Sequence, residues 1–182
     1  MLRWLPLFCL GALALISVPH PAASAPPVSP ALQKLDVSAG RWVFHGQQLH
    51  TRSGKPSPWT WNQDCRWSPN HLYLECTFSN TWGGRQVESL VVDTYNTADH
   101  TYWHYELYAA GDNGSHPFIS KMTIAGNTWT EQGLPSATGQ PARERVVYHW
   151  QPPDRVTVAI ETTRDGTHWT TVDEGTGKKE GR

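Results

Sequence analysis

Residues 101–109 read TYWHYELYA. In a strand, every second side chain shares a face, so Tyr102, His104, Glu106 and Tyr108 would stand together. An imidazole, a carboxylate and two phenols inside an apolar shell are costly unless paired or hydrated. Such a cluster serves to orient a ligand in a mostly apolar pocket. The opposite register would turn Trp103, Tyr105 and Leu107 inward and leave His104 and Glu106 in water. Arg145, within Arg143-Glu144-Arg145, offers a charge partner for an anionic group, with a solvated strand edge as the bland alternative. His104-x-Glu106 also supplies two metal ligands, with His149 or His168 as a third, or an acid and a base. No H-E-x-x-H, C-x-x-C, phosphate-binding loop, dinucleotide fingerprint or nucleophile elbow supports a metal or catalytic reading. No metal and no catalytic residue is therefore expected.

The elements that would position this cluster follow from composition. The chain has 182 residues, 10 of them Trp, with 15 Gly and 14 Pro. Many aromatics and many turn formers point to one all-β domain. Lys+Arg is 15 and Asp+Glu is 16, which argues against a nucleic-acid binder. Arg3 precedes the apolar run Leu5–Val18, and Ala23-Ser24-Ala25 offers a cleavage site. Residues 1–25 therefore read as a secretory signal peptide. The apolar run has 14 residues, short of the roughly 20 that a membrane span needs. An exported product, periplasmic or secreted, is expected, with no membrane span in the mature form. Cleavage removes Arg3 alone of the charged residues and leaves 14 basic against 16 acidic. Residues 26–34 are a Pro-rich tether, 35–176 the domain and 177–182 a polar tail.

Cys65 and Cys76 remain after processing, and in an exported chain they are expected to pair. Trp59, Trp61, Cys65 and Trp67 share odd positions; Leu72, Leu74, Cys76 and Phe78 share even ones. A hairpin turning about Asn70-His71 sets the two cysteines directly opposite. Their bond would contribute about 3 kcal/mol in the chain-entropy account; two free buried thiols are the alternative. The same alternation marks further strands at about 41–50, 85–95, 101–109, 117–125, 128–133, 143–150, 155–163 and 168–174. Gly126-Asn127 and Asp165-Gly166 are turn signals, as is Gly83-Gly84 after Trp82. One short helix is expected at 30–37. About ten short antiparallel strands at regular spacing make a barrel or sandwich. Nine Trp in the mature chain help fill its core. Trp59 and Trp61 share the cysteine face and belong inside. Trp82 and Trp103 are the candidates for exposed aromatics. Asn113-Gly114-Ser115 fits a glycosylation sequon and is read as a turn.

Gly40-Arg41-Trp42 after the short helix resembles the opening G-x-W motif of lipocalins. Tyr95-Asn96 with Tyr102, and Arg164-Asp165-Gly166-Thr167-His168-Trp169, resemble motifs of bacterial secreted lipocalin-like proteins of the calycin superfamily. The likeness spans nearly all of 36–176, departing at Asn96 and after Gly175-Thr176. It implies an antiparallel up-and-down β-barrel of about ten strands and little about chemistry. Barrels of this kind can also hold haem through one histidine, although no motif here assigns one. The expectation is an exported, non-catalytic barrel binding a small, partly apolar or amphipathic ligand through Tyr102, His104, Glu106, Tyr108 and Arg145. The alternatives are an envelope interaction protein using exposed aromatics, or a barrel enzyme or haem-binding barrel using lumen histidines.

Overall fold

The computed structural model describes residues 28–51, 53–82, 85–109, 117–134 and 143–181. The leader, Gly83-Gly84, the Asn113-Gly114-Ser115 sequon and the Trp82 side chain lie outside the described residues. The chain starts with a one-turn helix, α1 (Pro30–Gln33), which runs into a 3-10 turn over Lys34–Val37. Pro30 suits the first helical position, and Ser29 caps it by accepting the Leu32 N–H at 3.2 Å. Ten strands follow: β1 (Gly40–Gln48), β2 (Ser57–Trp67), β3 (Tyr73–Trp82), β4 (Arg85–Asn96), β5 (Thr101–Tyr108), β6 (Phe118–Ala125), β7 (Thr128–Gly133), β8 (Glu144–Gln151), β9 (Arg155–Thr163) and β10 (Trp169–Lys179). Each pairs antiparallel with its sequence neighbours, and β1 pairs with β10 to close the barrel. The all-β, ten-strand barrel with one short helix is the expected architecture.

Closure leaves no sheet edge and gives every strand an inner and an outer face. The expected hairpin register holds: Cys65 lies opposite Cys76, and the two are disulfide-bonded. Trp42, Phe44, Trp59, Leu74, Phe78, Val91, Trp129 and Trp150 are buried on the inner face. The last strand runs to Lys179 instead of ending near 174, so the polar run from Gly175 is mostly strand. The cause lies in the core. Gly175 stands opposite Gly46, and the Trp59 ring covers this glycine pair. Gly177 similarly makes room for Phe44 and Val156. Only residues without a Cβ let those rings approach the backbone.

The two barrel ends differ. At one, Leu32 and Leu35 pack into the core, and Trp42 Nε1 donates to Ser38 O at 3.1 Å. Trp150 sits between Trp42 and Trp129, with ring centroids 5.1 and 5.0 Å away. This end is plugged. The other end, where β1, β3, β5, β7 and β9 finish, opens into a cavity. No described helix is long and apolar enough to cross a membrane.

Candidate functional site

The cavity holds about 550 Å³ and lies in the lumen at the open end. Its apolar walls come from Trp61, Phe78, Phe118, Tyr148 and aliphatic residues such as Val91, Val146 and Ile160. Its polar lining comes from His104, Glu106 and Tyr108 on β5, Glu131 on β7, Glu144 on β8, Asp173 on β10, and Asn80 on β3. Strand β5 therefore takes the even-inward register. Tyr105 and Leu107 alternate outward and are exposed.

His104 is buried and lies across the β4–β5 ladder from Asp93. Its Nδ1 is 2.8 Å from Asp93 Oδ1 and 3.7 Å from Glu131 Oε1. Burial by itself would push the imidazole down. The facing Glu131 and Asp93 carboxylates, the Asp93 hydrogen bond and Glu106 outweigh it and raise His104 to about 10. That direction favours the imidazolium, whose Nδ1–H donates to Asp93. Glu131 is pushed up by its own burial and by Asp93 and Glu106, although His104 opposes this. Two carboxylates thus share one buried cation, and the second tends to keep its proton. Glu106 accepts from Ser89 Oγ at 2.6 Å and from Tyr108 Oη at 2.9 Å. Burial and then the Glu106 charge push the Tyr108 phenol up, so it stays a donor.

Asp173 is raised to about 6 by burial and by Glu144, with His50 opposing. Glu144 is raised by burial and by Glu106. Asp173 Oδ1, Asn80 Oδ1 and Trp61 Nε1 are buried without a hydrogen-bond partner among the described residues.

The structure thus brings His104, Glu106 and Tyr108 together in the cavity and separates two other expected pocket residues from them. Tyr102 shares their face but not their depth. Six residues of strand carry it about 20 Å from Tyr108, to the plugged end. There its hydroxyl donates to Ala31 O at 2.8 Å and ties α1 to the barrel. Arg145 alternates with the inward Val146 and Tyr148 and so faces outward. Its Nε donates to Glu161 Oε2 at 2.6 Å, and its guanidinium lies 4.3 Å from the Trp169 ring centroid. The cross-strand neighbour Glu161, rather than a ligand, takes its charge. His149 and His168 are exposed, bonded to Thr128 and Asp165, and neither joins His104 and Glu106. Asp93, Glu131, Glu144, Asp173 and Asn80 are site residues that sequence reading missed. Asp93 continues the odd-numbered series Val87, Ser89, Val91, and Glu131 shares parity with the buried Trp129, so both were findable. Asp173 was not, because a bulge between Thr171 and Asp173 shifts the register.

An imidazolium with Asp93 and Glu131 beside it is a hydrogen-bond donor at Nδ1. No three His, Cys, Asp or Glu residues among those described converge on a metal-sized point.

No family model and no curated protein matches the chain. Among solved structures it is similar to Rv2717c from M. tuberculosis, with a TM-score of 0.55 at 11% identity. The match covers 85% of this chain and 99% of that one. At that identity the likeness shows the fold alone, a barrel of the kind the lipocalin-like motifs imply.

Proposed function

We propose that this chain is an exported, non-catalytic barrel that binds a small, partly apolar ligand in its lumen. The observation that carries the reading is the cavity of about 550 Å³, lined by aromatic walls and by polar side chains from several strands. That size and lining are those of small-ligand sites. Trp42, Trp129 and Trp150 cluster at the plugged end, and Trp61 lines the wall of the cavity at the other. The Cys65–Cys76 disulfide and the leader-like residues 1–25 support export. His104, Glu106 and Tyr108 are the pocket residues in this reading, joined by Glu144 and Asp173.

The test is native mass spectrometry of protein purified from an exporting host, compared with the denatured spectrum. A stoichiometric extra mass, lost on denaturation and absent from a Val146→Trp variant that fills the lumen, is expected. A bare native mass, or an adduct that Val146→Trp leaves in place, would count against it.

A second reading rests on the outer face. Leu90 and Leu107 face each other across β4 and β5, 37% and 49% exposed, beside Tyr105. Such a strip suits a protein partner. Loss of partner capture on Leu107→Ser, with lumen binding unchanged, would favour it.

A further inference from the structure

We infer that the ligand of this lumen is an organic cation, an amine with an apolar body. The inference rests on the lumen-binding reading above and adds the ligand's charge. Five carboxylates are placed at or beside the cavity: Asp93, Glu106, Glu131, Glu144 and Asp173. His104 is the sole cation among the described lining residues, and Asp93 and Glu131 already neutralise it. No Lys or Arg lines the wall beside Glu106, Glu144 and Asp173, and His50, which acts on Asp173, is not among the lining residues. Of the two arginines that flank Glu144 in sequence, Arg145 points out of the barrel and is paired with Glu161, and Arg143 is exposed and absent from the cavity lining.

A second, independent observation concerns hydrogen bonding. Asp173 is only 3% exposed, yet its Oδ1 has no donor among the described residues. Asn80 Oδ1 is in the same condition on β3. Buried acceptors without donors are costly and are normally satisfied by something that enters. An ammonium group brings two or three donors and a positive charge. A carboxylate or phosphate brings neither and would meet like charge.

The walls suit the rest of such a molecule. Trp61 stacks on Phe44 at a centroid distance of 4.7 Å, lies tilted against Phe78 at 5.1 Å, and meets Tyr148 edge-on at 6.3 Å. Aromatic faces attract a cation and cover its apolar body. An inorganic cation fits less well, because the carboxylates are spread around the wall instead of converging.

The test uses three isosteres, 4-phenylbutylamine, 4-phenylbutan-1-ol and 4-phenylbutanoate, titrated calorimetrically into the chain purified free of any carried ligand. The amine is expected to bind roughly tenfold or more tighter than the alcohol, with the carboxylate weakest. Asp173→Asn and the rim variant Glu144→Gln should each remove most of the amine's advantage. A circular-dichroism spectrum and a urea midpoint matching the wild type report that both variants are folded. If the alcohol or the carboxylate binds as tightly as the amine, and Val146→Trp blocks all three, the charge inference falls and lumen binding stands. The charge inference falls equally if both variants keep the full amine preference. If none of the three binds, or Val146→Trp leaves binding intact, the lumen reading falls and takes this inference with it.

Discussion

Glu131 and His104 define the chemistry at the scale of the residue. His104 is raised from 6.5 to about 10, and Asp173 from 3.8 to about 6. Glu131 is raised as well. A group whose pKa rises on folding stabilises most below its unfolded value and loses that contribution as pH climbs through its folded value. The three therefore act in one direction. Asp173 gives up its contribution between pH 3.8 and about 6, Glu131 from 4.5 upward, and His104 between 6.5 and about 10. With respect to this cluster the fold should be most stable below about pH 4 and lose stability steadily as pH rises. Glu131→Gln removes one titration without adding bulk. Between about pH 4.5 and 7.5 the wild-type chain should lose more unfolding free energy than the variant, by on the order of 1–3 kcal/mol. Urea unfolding at the two pH values measures it, and equal losses would refute the assignment. His104 and Glu106 were legible in sequence because alternation put them on one face. The inward parity of Asp93 and Glu131 was readable too, but their meeting with His104 was not, because it joins three different strands.

At the scale of the element, β10 carries the point. Gly175 lies just past the expected end of the last strand and Gly177 opens the expected polar tail, yet they are where Trp59 and Phe44 meet the backbone. A Cβ at Gly175 would come within 2.5 Å of the Trp59 ring and 2.8 Å of His45 O. Gly175→Ala should cost about 1–3 kcal/mol, the usual toll of overpacking. Combined with Trp59→Leu, which withdraws the ring, the loss should be smaller than the two single losses added. Denaturation midpoints of the two singles and the double decide this; strict additivity would show that ring and glycine are not coupled. The β2–β3 hairpin is the contrasting case. Its register was readable because apolar residues alternate on both sides of a clear turn, which leaves only one pairing that buries both sets.

For the whole molecule, the asymmetry between the ends organises everything else. The helix with its 3-10 turn plugs one end and leaves the lumen accessible from the other. Leu35, with no exposed surface, is the centre of the plug. Leu35→Ala should destabilise the barrel by about 2–5 kcal/mol and leave ligand affinity in the folded protein unchanged. Denaturation and calorimetry on the same variant test both halves. A variant of unchanged stability, or one folded but unable to bind, would mean that plug and pocket are not separate parts.

Local pattern by itself determined the strand number and the disulfide. Alternation and turn chemistry act over a few residues, and each is complete within its own segment. Tertiary structure alone decided that Arg145 faces away from the lumen, that Tyr102 serves the plug, and that Asp173 joins the site. Those outcomes depend on barrel height, on a bulge and on which strands face each other across the lumen. The lumen's unbalanced negative charge belongs to the same class. It is a sum over strands that become neighbours only when the barrel closes.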